Sequence, residues 1–128
     1  MDFNKHNPKT LNEAIDIIVA DLRPEDIQYI EKEGTGGTHL FFGMAMRNGW
    51  GLWHDSELSK HFKITYGLGH ADDMSGLILA GVEARVKKEV FDADKQAELY
   101  QKYWRNMNIN PLTMEKMPKD EHGSDISA

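Results

Sequence analysis

The sequence predicts an all-α fold: a single compact domain of five or six helices with a long central buried helix. Three observations predict it. Apolar residues recur at spacings of three and four along most of the chain up to Met107. Helix-starting and helix-stopping residues punctuate these runs. No two alternating apolar–polar segments flank a turn signal, so no hairpin is expected.

Leu11, Ala14, Ile15, Ile18 and Leu22 make the first stripe. Thr10 suits its N-cap, and Glu13 three residues on would complete a capping box. Arg23-Pro24 breaks this helix, and Pro24 suits the first position of a second, with Glu25 and Asp26 near its positive end. Ile27 and Ile30 would face inward, and Gly34 opens a Gly-Thr-Gly-Gly loop that stops it. A third helix is expected from Thr38 to about Asn48, with Leu40, Phe41 and Met44 as core and Asn48-Gly49 as a left-handed cap. Asp55-Ser56-Glu57 would cap a short fourth helix through about Phe62. Residues 63–71 read as loop, with Ile64-Thr65-Tyr66 suited to a short extended piece. Asp72 or Asp73 would cap the long helix, whose apolar positions are Met74, Leu77, Ile78, Gly81, Val82 and Val86. Leu77 to Val82 holds no charge, which marks this helix as central. Asp92 and Asp94 open a last helix with Ala97, Tyr100, Tyr103, Trp104 and Met107 on one face. The expected organisation is one helical domain over 1–110, the last helix over about 92–107, and a mobile polar tail over 111–128.

The 128 residues suffice for one core. A net charge of −6 argues against nucleic acid or an anionic membrane as partner. Acid concentrates early: residues 1–33 carry eight Asp/Glu against four Lys/Arg, and 34–81 four against three. With no cysteine, disulfides and thiolate metal sites are excluded. No run approaches the roughly 20 apolar residues of a membrane span, and the first residues lack a signal-peptide pattern. A cytoplasmic protein without a cofactor is the expectation.

The segment His39 to Trp53 is the first candidate site. On a helical projection His39, Gly43, Met46, Arg47 and Trp50 share one side. Glycine inside a helix costs about 1 kcal/mol relative to alanine and suits a close approach, by a ligand or by another helix. Arg47 offers a planar fork for carboxylate or phosphate, or for an acidic neighbour of its own. Trp50 and Trp53 suit stacking on a flat ring, or simple core packing. The second cluster is Gly67-Leu68-Gly69-His70-Ala71-Asp72-Asp73-Met74-Ser75. Two aspartates at a helix start repel an anion, and capping is the plainer reading; His70, Asp72 and Asp73 as an acid–base or metal group is the sharper one. His54 and His61 read as surface residues. The candidate ligand-binding set is His39, Gly43, Arg47, Trp50, Trp53, His70, Asp72 and Asp73, with no catalytic or metal residue assigned.

The Pro8-x-Thr10-Leu11-x-Glu13-Ala14 opening, His39…Gly43…Arg47-Asn48-x-Trp50-Gly51-Leu52-Trp53 and Gly69-His70-x-Asp72-Asp73-x-Ser75 together resemble a small domain family of bacteria and their phages, of unknown function. The resemblance spans about residues 8–90. Members usually have proline where this chain has Ala71. The resemblance implies an all-α fold and places the site, but implies no activity.

Three functions suit these residues. The first is a non-enzymatic module that binds a small nucleotide-like anionic ligand, such as a host immune signal targeted by a phage. The alternative is a protein–protein interaction module that docks a host protein on the aromatic loop. The third is a small nucleotide-processing enzyme with His70 or His39 as general base. Seven methionines and three tryptophans could fill a monomer core or an oligomer interface.

Overall fold

The computed structural model describes residues 1–36 and 39–118, apart from the side chains of residues 39–41. After one 3₁₀ turn, Phe3–Lys5, the chain forms α1 (Leu11–Asp21), α2 (Pro24–Glu33), α3 (His39–Gly49), α4 (Glu57–Tyr66), α5 (Ala71–Lys87) and α6 (Ala93–Arg105). No strand is among the described residues; Ile109 and Lys116 form one isolated antiparallel bridge. No described helix is long and apolar enough to cross a membrane.

The chain folds around α5, which touches α1, α2, α3, α4 and α6. Its Met74, Leu77, Ile78, Gly81 and Val82 are buried, as the charge-free stretch predicts. A Cβ on Gly81 would collide with Ile15 of α1, so this glycine lets two helices approach closely. From the other elements Phe3, Leu11, Ile18, Ile30, Met46, Trp50, Phe62, Leu68 and Ala97 join the same core.

Several local expectations are corrected. Thr10 caps α1 by accepting from the Glu13 N–H, but the Glu13 carboxylate reaches past it to the Lys9 N–H at 2.9 Å. At α2, Asp26 accepts from the Arg23 N–H at 2.9 Å, and Gly34 at φ +73° ends the helix; Ile30 is buried and Ile27 half-buried. The expected start of α3 at Thr38 lies outside the described residues, as do the side chains of Leu40 and Phe41. Met44, expected in the core, is half-exposed.

The left-handed residue after α3 is Gly51 (φ +64°), two residues beyond the expected Asn48-Gly49 stop. The Leu52 N–H closes the helix end by donating to the Arg47 carbonyl at 3.0 Å, the six-to-one bond of a Schellman motif. Gly49 stays helical for a different reason: a Cβ there would stand 2.5 Å from the Phe3 Cβ. Helix α4 runs one turn past Phe62, taking in residues 63–66 of the 63–71 expected to be loop, and Gly67 (φ +64°) caps it. His70, not Asp72 or Asp73, is the N-cap of α5. Helix α6 ends at Arg105, so Met107, expected on its face, lies in the turn beyond it and is exposed; on the helix Tyr103 is exposed, Ala97 buried and Tyr100 and Trp104 half-buried. Part of the expected tail folds back: the Gly69 N–H donates to the carbonyl of buried Pro111 at 2.8 Å. Residues 119–128, the remainder of that tail, lie outside the described residues.

Candidate functional site

The two sequence clusters meet. Leu52, buried just past the Gly51 turn, anchors the loop after α3 and leaves Trp53 half-exposed. Ser59 fastens the same loop to α4 by donating to the His54 carbonyl at 2.6 Å. On the facing segment, buried Leu68 and the Gly69–Pro111 bond fix the approach to α5, so His70 is held where Trp53 reaches it. The two rings pack edge to face with centroids 5.5 Å apart.

His70 also stacks on Trp104 of α6, at 5.5 Å and an interplanar angle of 23°. Its Nδ1 accepts from the Asp72 N–H at 3.0 Å. An accepting Nδ1 leaves Nε2 as the ring's donor. The Trp104 indole N–H donates to Asp73 Oδ2 at 2.7 Å, and Tyr103 packs edge-on to Trp104 at 5.1 Å. Four rings therefore touch in sequence: Trp53, His70, Trp104, Tyr103. Helix α6 is held beside them by Ala97 and by Gln101, whose amide donates to the Tyr66 carbonyl at 2.5 Å.

Beneath the rings lies a polar layer. Arg47 is only 8% exposed. Its Nη1 donates to Ser75 Oγ at 2.9 Å, and its Nε stands 3.2 Å from Asp72 Oδ1 without a well-aimed hydrogen bond. Fully buried Ser75 donates in turn to the Asp72 carbonyl at 3.1 Å. The guanidinium thus ties the C-terminal half of α3 to the first turn of α5, where the helix's free amides favour the Asp72 carboxylate. Nearby Tyr100 is half-buried, and burial, with a smaller push from Asp73, holds its hydroxyl above the ordinary tyrosine range.

The expected residues therefore divide. Arg47, Trp53, His70, Asp72 and Asp73 lie in this cluster. Trp50 does not: it is buried, donates to the Phe3 carbonyl at 2.9 Å and packs edge-on to the Phe3 ring at 4.9 Å. Gly43 is buried within α3, and the His39 side chain lies outside the described residues. Asp72 turns to Arg47 while Asp73 turns to Trp104, so the two carboxylates diverge. Among the described residues no three His, Asp or Glu side chains converge as a metal site. Sequence reasoning placed Trp104 on one face of the last helix without a site role and gave Ser75 no role of its own. Both owe their place to contacts across 28 residues or more, which no local spacing reveals.

His61, read as a surface residue, is packed against Phe62 and Tyr66 at 5.6 and 5.7 Å. Its Nε2 is buried without a hydrogen-bond partner, and burial pulls its pKa down, against a small opposing pull from Glu13.

A family model described as a domain of unknown function (DUF6794) matches residues 7–85. The match contains Arg47, Trp53, His70, Asp72 and Asp73 and ends before α6, so Trp104 and Tyr103 come from outside it. No curated protein and no solved structure matches the chain.

Proposed function

From the premise that the chain belongs to the family described as a domain of unknown function (DUF6794), we propose that it is a non-enzymatic binding module. Its recognition surface is the ring series Trp53–His70–Trp104–Tyr103, and its partner is a protein that covers this face with apolar side chains. One observation carries the reading: the four rings are contiguous, yet Trp53 is 52% and Tyr103 59% exposed. Leu99, one turn before Tyr103 on α6, is a further exposed apolar residue on the same side of that helix. Aromatic and methionine side chains are enriched at protein interfaces, and a contiguous apolar surface on a small domain marks an interaction site.

The polar layer supports a binding role over catalysis. Arg47 and Ser75 are buried and hydrogen-bonded to each other, Asp73 is bound by the Trp104 indole, and the His70 Nδ1 is engaged as a helix cap. These groups hold the rings in place. A nucleotide-like ligand retains one support, the half-exposed indole of Trp53 on which a base could stack. Its other expected support is weaker, because Arg47 already faces Asp72.

Photo-crosslinking tests the proposal. A photoreactive side chain in place of Tyr103 should capture one identifiable protein that the same group at exposed Ile64 or Val90 does not. The purified pair should then bind, and Trp53→Ala should weaken that binding at least about tenfold, as expected of a hot-spot aromatic. Capture from all three positions alike, or binding indifferent to Trp53→Ala, would count against it. A melting-temperature rise with a nucleotide that disappears in Trp53→Ala would favour the ring-stacking reading.

A further inference from the structure

Helix α5 is capped by a group that can lose its acceptor. Serine, threonine, asparagine and aspartate are the usual N-caps, and of these only aspartate titrates, well below neutrality. Here the acceptor is the imidazole of His70, and histidine ordinarily changes charge between about pH 5 and 8. The Asp72 backbone N–H can only donate, so its 3.0 Å bond to Nδ1 requires that nitrogen to be unprotonated. The ring is 25% exposed, and solvent protons reach it.

A proton on Nδ1 would set two N–H groups against each other and place a positive charge at the positive end of α5. Among the described residues one charged group is paired with the ring, Asp72, whose Oδ2 lies 3.9 Å from Nδ1. Arg47 of α3 already stands 3.2 Å from the other oxygen of that carboxylate, so an imidazolium reaches Asp72 only by turning. The loop after α3 brings Trp53, followed by His54 and by Asp55, which Lys63 holds at 3.0 Å. From α6 come Trp104, whose indole engages Asp73, and the tyrosines 100 and 103 beside it. Backbone bonds independent of the ring hold the turn itself. The His70 carbonyl accepts from the Asp73 and Met74 N–H groups at 3.1 and 3.2 Å, and the Gly69 N–H donates to Pro111. The ring can therefore move while the fold stays.

We propose that His70 is a proton-operated latch on the aromatic face. Neutral, it caps α5 and joins Trp53 to Trp104. Protonated, it gives up the Asp72 N–H and turns away from the two indoles toward the Asp72 carboxylate. The ring series is then broken at its second member. The effect on a partner rests on the reading of this face as a recognition surface; the turning of the ring does not.

NMR of the whole protein across about pH 8 to 5 tests the latch. Long-range proton–nitrogen spectra follow the His70 ring nitrogens, the Asp72 amide proton reports the cap, and NOEs from His70 to Trp53 and Trp104 report the ring's place. As His70 gains its proton, the Asp72 amide signal should move upfield and those NOEs should fade with the same midpoint. The methyl signals of buried Leu77 and Ile78 should not move. In His70→Asn, which keeps an acceptor that does not titrate, the Asp72 amide should stay downfield throughout. A protonated His70 that keeps its NOEs and leaves the Asp72 amide unmoved would overturn the latch. So would the same step in His70→Asn, or a ring still neutral at the lowest pH at which the protein is folded. For the protein captured at Tyr103, affinity should fall at least about fivefold over the His70 titration, the scale of losing one helix cap. The affinity of His70→Asn, whatever its level, should show no such step. Binding that ignores the His70 titration would overturn the coupling. No captured partner, with the NMR step intact, would count against the recognition surface and leave the latch standing.

Discussion

The Arg47–Asp72 pair should respond asymmetrically to mutation. Arg47 is 8% exposed while the Asp72 side chain is 53% exposed, so one partner is buried and the other is wetted. Asp72→Asn leaves a buried guanidinium with Ser75 as its described hydrogen-bond partner and takes away the carboxylate it is paired with. Breaking a fully buried pair in this way costs about 3–5 kcal/mol, and the exposure of Asp72 reduces that to about 1.5–2.5 kcal/mol. Loss of a negative charge from the first turn of α5 adds about 0.3–1 kcal/mol. Arg47→Met instead removes the buried charge and keeps most of the stem's volume. Ser75 still donates to the Asp72 carbonyl, so its hydroxyl keeps a partner. The lost charge-assisted bond, about 1.5–3 kcal/mol, is offset by the relieved desolvation of the guanidinium, for a net change within about 1 kcal/mol of zero. Urea unfolding followed by circular dichroism should therefore rank Asp72→Asn as clearly less stable than Arg47→Met. The double variant should lie close to Arg47→Met, displaced mainly by the small helix-end effect. Should Arg47→Met prove the more damaging change, the argument that desolvation governs this pair would be refuted.

Other outcomes follow from single contacts. Gly69→Ala drives a Cβ into the Leu112 carbonyl and should cost about 1–3 kcal/mol; hydrogen exchange at Gly69 and Met114 should rise first, and an unchanged melting curve would contradict the close approach. Trp50→Ala empties a core position and should cost about 3–5 kcal/mol, whereas Trp53→Ala should cost under about 1 kcal/mol, so similar midpoints in urea would show the two tryptophans misplaced. His61 is held below the ordinary histidine value by burial, so the unfolded chain takes up that proton first. Stability tied to it is full above the unfolded-state value near 6.5 and declines as pH falls from there through the depressed folded-state value. His61→Phe should flatten that part of the stability–pH curve, and an identical slope in both proteins would sink the assignment.

The fold was legible because each helix carries its own start, stop and stripe. Thr10, Pro24, Ser56 and Asp92 all stand at helix starts, where their chemistry suits them. Glycine was the harder letter to read. Asn48-Gly49 has the look of a left-handed stop, but the αL residue is Gly51, and Gly49 is helical because Phe3 packs on it. A glycine needed for backbone freedom and one needed for room are identical in a sequence. Only the distant neighbour separates them, and Phe3 is far from Gly49 along the chain.

The same limit explains the site. Helical projection put Arg47 on a different side from Leu40, Phe41 and Met44, yet it put Trp50 and Met46 beside it, and both are core. A 100° projection says which residues share a side of α3; it does not say that the 3₁₀ turn at Phe3–Lys5 covers part of that side. His70 is the sharper case. Its two aspartate neighbours are the better cap formers by type, but an N-cap needs an extended backbone just before the first helical turn, and His70 occupies that place at φ −93° and ψ 132°. With the cap made by an imidazole, Asp72 and Asp73 become the second and third helical residues, about 100° apart around the axis. One consequently turns to Arg47 and the other to Trp104. The histidine cap thus separates two carboxylates that a shared metal site would require together, and leaves the imidazole ring between Trp53 and Trp104 as part of an aromatic surface.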